Sequence, residues 1–296
     1  VNDTVPFVLS EDIYPLMNVW ARNQNRKIPS IDYFKDNTQH IVENLCAIFP
    51  RVQLIETRNL MEHFNTNINQ NDCVVSLDRA YAPLLPRAKI FYSDTCRALN
   101  VKNEPMRYMR PEYLPEDSTQ IPKDRSLILL DDVIFDGRTL AHQITTYGKE
   151  RIEKIVTGIA TEKGKNFIEQ QFDIPVQSAY VFHDLIDEVC ERDFIPGTPL
   201  CGKPVYHSID MPFFMGSRPY IAPFGDAEKW ASIPQNHILS FSENCMALAC
   251  DMWDRIGEMN NITLRNQHLP RPVYGVDQQA LPRNFNIHTQ QGVSYA

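Results

Sequence analysis

The chain has 296 residues, 43 % of them apolar, and a net charge of −8 with a sequence pI near 5.5. That apolar share excludes global disorder, and the acidic balance argues against broad binding to nucleic acid or an anionic membrane, both of which need a basic footprint. Seven scattered cysteines without a C-x-x-C pair read as reduced thiols. No apolar run nears the roughly 18 residues of a membrane span. VNDTVPFVLSEDIY at the N-terminus has no signal-peptide pattern, so a cytoplasmic location is expected.

In chain order, the first clear element is an amphipathic helix at 36–49, DNTQHIVENLCAIF, opened by an Asp or Asn cap. DCVVSL (72–77) is a short apolar strand. After a turn, LLPRAKIFYSDTCRAL reads as helical beyond Pro86, and PMRYMR as a strand or an ordered loop. PEYLPEDSTQIPKDR (111–125) holds three prolines and many charges, which makes it a loop. SLILL (126–130) is the next strand, RTLAHQITTYGKE a helix, KIVTGIAT (154–161) a strand, EKGKNFIEQQF a helix and VQSAYVF (176–182) a strand. Continuous apolar strands alternating with helices predict an α/β fold, a mostly parallel sheet flanked by helices. Ligands of such sheets bind beyond the carboxyl ends of the strands.

Residues 185–235, rich in proline and aromatics, read as irregular or as short antiparallel strands able to cover a site. NHILSFSENCMALACDMWDRIGEMN (236–260) places Ile238, Phe241, Cys245, Leu248, Met252, Ile256 and Met259 on one helical face, the pattern of a core-facing helix. The tail after 262 has little periodicity and is expected to wrap the surface or a partner. This divides the chain into an N-terminal helical extension (1–70) packed on a core (71–185), and a cap region with a long helix and tail (186–296). The eight histidines show no metal-ligand spacing, and GTPLCGKP (197–204) lacks the strand-to-helix context of a phosphate loop.

One stretch carries chemistry. In ILLDDVIFDGRTL (128–140) two acids follow an apolar strand, and a loop with Gly137 leads into a helix. A helix N-terminus with successive amides makes an anion site, and glycine lets backbone approach closely. Thr139 adds a hydroxyl and Arg138 a cation. Asp131 and Asp132 can accept hydrogen bonds from sugar hydroxyls or hold a hydrated Mg²⁺. A phosphate at one end and hydroxyls at the other describe a ribose 5-phosphate.

Leu127 to Leu130, Asp131, Asp132, Val133, Ile134, Gly137 and Thr139 match in register the phosphoribosyl-diphosphate (PRPP) motif of the type I phosphoribosyltransferases, which this segment resembles. Branches acting on pyrimidines carry an aromatic residue at Phe135 and an arginine at Arg138. The resemblance spans about 70 to 185. It implies a pyrophosphate-binding loop at VVSLDRAYAP, with Asp78, Arg79, Ala80 and Tyr81, and a mobile catalytic loop at 107–125. The activity implied is Mg²⁺-dependent transfer of phosphoribosyl from PRPP to a nitrogenous acceptor, with release of pyrophosphate. Asp131 and Asp132 are the catalytic and metal-holding residues in that reading. Phe135, Asp136, Gly137, Arg138, Thr139, Asp78, Arg79, Ala80, Arg107 and Arg110 are its substrate contacts, the arginines suiting bidentate phosphate recognition. The partners expected are a small phosphoribosyl or nucleotide ligand and a second copy in a homodimer, with no nucleic acid or membrane.

Two residues depart from the pattern. The family has a threonine that donates to the 5-phosphate where this chain has Asp136. Two unit charges about 4 Å apart at an effective dielectric of 20 repel by roughly 4 kcal/mol. Asp136 therefore points away, or is offset by Arg138 or a metal, or the ligand there carries no phosphate. Phe135 replaces the aspartate that purine-salvage branches use as a base, which speaks against a hypoxanthine–guanine type enzyme. The alternative reading is a redirected or inactive core that binds a nucleotide or sugar-phosphate for regulation or assembly. A haloacid-dehalogenase phosphatase reading fails because Arg138 would stand where that chemistry needs its second acid.

Overall fold

The computed structural model describes residues 5–85, 89–93, 96–108, 121–122, 124–207 and 213–285. In chain order the main elements are β1 (Phe7–Ser10), α1 (Ile13–Asn23), α2 (Ile31–Cys46), β2 (Val52–Ile55), α3 (Thr57–Asn67) and β3 (Cys73–Ser76). Then come β4 (Lys89–Tyr92), β5 (Cys96–Asn100), β6 (Pro105–Tyr108), β7 (Leu127–Ile134), α4 (Arg138–Tyr147), β8 (Ile152–Thr161) and α5 (Glu162–Phe172). The chain ends in β9 (Val176–Phe182), β10 (Asp187–Cys190), β11 (Lys203–Tyr206), β12 (Phe214–Arg218), α6 (Ala227–Ala231) and α7 (Ile238–Asn260). It folds into two compact units, one of residues 1–54, 97–106 and 186–296, the other of 55–96 and 107–185.

The second unit is built on a five-stranded sheet in the order β4-β3-β7-β8-β9, with every pairing parallel. Sheets buried on both sides need apolar residues at consecutive positions, and Leu127–Leu130 and Ile155–Val156 supply them. Leu140 and Ile144 of α4 and Ile168 of α5 join Leu127, Leu129 and Ile155 in one apolar cluster. Leu60 of α3 packs on Gly158 of β8, where an added Cβ would lie 3.1 Å from it. This is the α/β architecture that the strand and helix alternation predicts.

The helix expected beyond Pro86 is not there. Residues 89–92 and 96–100 form β4 and β5, and β4 pairs in parallel with β3, Val75 opposite Phe91. Ile90, Phe91 and Tyr92 are β-branched or aromatic, and the run is too short to carry a helical period. PMRYMR contributes the strand β6.

The first unit holds a three-stranded sheet, β10-β1-β2, with β1 and β10 parallel, and a four-stranded sheet, β12-β11-β5-β6. Aromatic side chains fill its core: Phe7 stacks on Phe49 at 4.5 Å, and Trp20 meets Trp253 edge-on at 5.8 Å. Three expectations change here. The N-terminal helix α2 starts at Ile31, with Ser30 and not Asp or Asn at its N-cap position, and without a side-chain cap bond. The buried face of α7 runs through Phe241, Cys245, Met246, Ala249, Met252, Trp253 and Ile256, which leaves Met259 exposed. As far as Phe285 the tail joins this core, through Leu264, Leu269, Val273 and Phe285. Among the described residues no helix is long and apolar enough to cross a membrane.

Candidate functional site

The order β4-β3-β7-β8-β9 contains a switch point. The chain leaves β3 toward β4 on one side and returns through β7 on the other, so the sheet changes direction between β3 and β7. Crevices at such switch points, beyond the carboxyl ends of the strands, are where open α/β sheets bind ligands. Ser76, the last residue of β3, pairs with Leu130. β7 continues for four further residues, so Asp131 and Asp132 extend past the end of β3, next to the loop that begins at Asp78.

Asp78 shapes that loop. Its carboxylate accepts hydrogen bonds from the backbone N–H groups of Ala80 (2.8 Å), Tyr81 (2.7 Å) and Ala82 (3.1 Å), and the Ser76 hydroxyl donates to its carbonyl at 2.7 Å. Ala80 and Tyr81 are buried, the latter beside Phe64 at 5.9 Å. The Arg79 guanidinium lies over the Tyr92 ring, 5.6 Å from its centre. The amides that a pyrophosphate would need are thus already bonded by the chain's own carboxylate.

The structure brings Asp78, Asp131 and Asp132 into electrostatic contact. Burial, then the charge of Asp132, pushes Asp78 up to about 7 even though three N–H donors oppose the shift. Burial, followed by Asp132 and Asp78, holds Asp131 well above the usual carboxylate range. Asp131 accepts from the Asp132 N–H at 3.1 Å, and Asp132 from the Val133 N–H at 2.8 Å. Like charges sharing a site raise one another's affinity for protons or other cations. Sequence reasoning placed Asp78 as a separate substrate contact and missed this coupling. The only hint in the sequence was that Asp78, like Asp131, directly follows an apolar strand.

The loop after β7 is braced from behind by α5. The Thr161 hydroxyl, which caps α5 by accepting from Gly164 N–H at 2.9 Å, donates to the Phe135 carbonyl at 2.5 Å. Gly164 is glycine because an added Cβ would lie 2.3 Å from that carbonyl oxygen. Gly137 has φ +74°, and its Cβ would meet Phe167 at 2.8 Å, so it serves packing as much as approach to a ligand. Gly164→Ala is expected to cost about 1–3 kcal/mol of stability in urea denaturation, as overpacking does. Unchanged stability would mean that the loop yields freely.

Asp136 faces its neighbour Arg138. Its Oδ1 accepts from the Arg138 N–H at 3.0 Å, at the first residue of α4, and its Oδ2 is 3.2 Å from Arg138 Nε. Arg138 thus supplies one of the offsets the sequence left open. Thr139 is half-buried in the first turn of α4, and Phe135 is half-buried in the loop. Arg107 lies in β6 with its side chain outside the described residues, and Arg110 and most of the 107–125 segment are outside them altogether. Among the described residues no three His, Cys, Asp or Glu side chains are arranged to hold a metal ion.

No family model matches the chain, and no curated protein matches it. The structure of the AQ2163 protein from Aquifex aeolicus is similar to part of it, with 19 % identity, a TM-score of 0.29, and coverage of 42 % of this chain and 70 % of that one. A likeness at this level carries no functional argument.

Proposed function

We propose that the second unit is a phosphoribosyltransferase-like site that takes PRPP with Mg²⁺ and transfers the phosphoribosyl group to a nitrogenous acceptor. The observation that carries this reading is the set of coupled carboxylates at the switch point of the sheet. Asp131 and Asp132 stand in the C-terminal half of β7, within the PRPP-type motif, and Asp78 crowds them from the loop after β3. Crowded carboxylates suit a cation or the hydroxyls of a sugar.

In the reaction a nitrogen of the acceptor forms a bond to the anomeric carbon as the bond to the pyrophosphate oxygen breaks. Positive charge develops on the ribose ring between those events. Asp131 and Asp132 hold the ribose hydroxyls, and Asp132 supplies the negative potential that favours that charge. The same two carboxylates fit Mg²⁺, a hard cation that takes one or two carboxylates and keeps its waters, and it would neutralise the departing pyrophosphate. The braced loop from Phe135 to Gly137 keeps the sugar's far end at a fixed distance from these acids. Free thiols at Cys46, Cys73, Cys190, Cys201, Cys245 and Cys250 suit a reducing, cytoplasmic setting.

A second reading is favoured by the amides that the chain already satisfies. Asp78 takes three N–H groups after β3 and Asp136 takes one at α4, the positions a diphosphate and a phosphate would claim. In that reading the site is a redirected module that binds a sugar or nucleotide ligand without turnover. Calorimetry with PRPP and Mg²⁺, combined with a pyrophosphate-release assay over a panel of nitrogenous bases, separates the two. Micromolar binding with release supports the transferase, and binding without release supports the module. No binding of PRPP by a folded chain would sink the transferase.

A further inference from the structure

We propose that Asp136 sets the charge selectivity of the α4 end of this site by acting as an internal competitor of a ligand phosphate. The inference rests on the sugar-binding reading above and goes beyond it.

The local geometry separates what is fixed from what can move. The backbone is pinned: Thr161 holds the Phe135 carbonyl, Gly164 leaves no space behind it, and Gly137 is wedged against Phe167. The Asp136 carboxylate is on the open side, with its side chain 47 % exposed, and the Arg138 side chain is 83 % exposed. Asp136 therefore occupies the Arg138 N–H and faces its guanidinium through side-chain torsions alone. Asp78 differs, being buried with three backbone bonds, so it stays part of the scaffold.

A phosphate arriving at the start of α4 meets a carboxylate on the donors it needs. It must turn that carboxylate away or share Arg138 with it, and either course weakens its binding. A ligand whose distal end is a hydroxyl meets no such cost, because Asp136 can accept from it. The wild-type chain thus discriminates little between ribose 5-phosphate and ribose, and removing the charge restores the preference for phosphate.

Asp136→Asn keeps an oxygen able to accept from the Arg138 N–H, so the turn survives while the charge is lost. Asp136→Thr also loses the charge and leaves a hydroxyl that accepts from that N–H more weakly. Calorimetry of ribose 5-phosphate and ribose against the three proteins reads the effect. Repulsion at a partly solvated site predicts about a tenfold gain in ribose 5-phosphate affinity for Asn, and at least that for Thr, with ribose unchanged. Adding Arg138→Gln to Asp136→Asn is expected to remove the gain. Equal or weaker ribose 5-phosphate binding by both variants, with ribose still bound, overturns the role of Asp136 and leaves the sugar site standing. If circular dichroism shows all the proteins folded and neither sugar binds to any of them, both the role and the site are refuted.

Discussion

Asp132→Asn is expected to raise the thermal stability of the unliganded chain while abolishing its binding of PRPP with Mg²⁺. Asp132 is the charge that acts on both neighbours, pushing up Asp78 and Asp131 alike. Two carboxylates about 4 Å apart at an effective dielectric of 20 repel by roughly 4 kcal/mol, and proton uptake by Asp78 relieves part of this near neutrality. An asparagine oxygen can still accept from the Val133 N–H, so the backbone at the end of β7 keeps its support. The net gain at pH 8 should be about 1–3 kcal/mol, or a melting temperature higher by about 2–8 °C. Added Mg²⁺ should raise the melting temperature of the wild type and leave the variant unmoved. A variant that melts lower, or that responds to Mg²⁺ as the wild type does, would make these acids an ordinary turn pair.

Part of the candidate site was readable in the sequence and part was not. Asp131 and Asp132 stand out because charge directly behind Leu127–Leu130 breaks the apolar pattern of a buried strand. The coupling to Asp78 is invisible in one dimension. It exists because β3 pairs with β7, and more than fifty residues separate Asp78 from Asp132 along the chain. The direction of Asp136 was equally hidden. It depends on the positive φ of Gly137 and on the brace from Thr161 and Gly164, residues that lie in the next strand and helix. The parallel strands from Leu127 onward were legible from apolar runs of sufficient length. β4 was not, since four residues that include a lysine carry no period and owe their strand to pairing with β3.

The first unit carries its own consequence of burial, in a carboxyl group rather than a cluster. Glu191 is 1 % exposed, and its Oε1 accepts from the N–H groups of Asp12 (2.9 Å) and Ile13 (2.7 Å) at the start of α1. The Thr38 hydroxyl is 2.6 Å from its Oε2, and Asp12 is ion-paired with Arg192 nearby. Burial pushes Glu191 up to about 8, the Thr38 and Ile13 donors oppose this, and Glu11 adds to it. A carboxyl whose folded pKa lies above its unfolded value binds more protons in the folded state. Its contribution is therefore full below the ordinary value of 4.5 and is lost as pH rises through about 8. Glu191→Gln keeps an acceptor for the two backbone groups, and its amide can donate to Thr38 while Thr38 donates to the Phe34 carbonyl at 2.9 Å. Between pH 5 and pH 9 the wild type should lose on the order of 4 kcal/mol relative to Glu191→Gln, with other titrations cancelling in the difference. The measurement is selective, because all three tryptophans, Trp20, Trp230 and Trp253, lie in this unit and report its unfolding in urea by fluorescence. A gap between the two proteins that stays constant across that pH range would show Glu191 to be ionised throughout, held as a carboxylate by the helix end it caps.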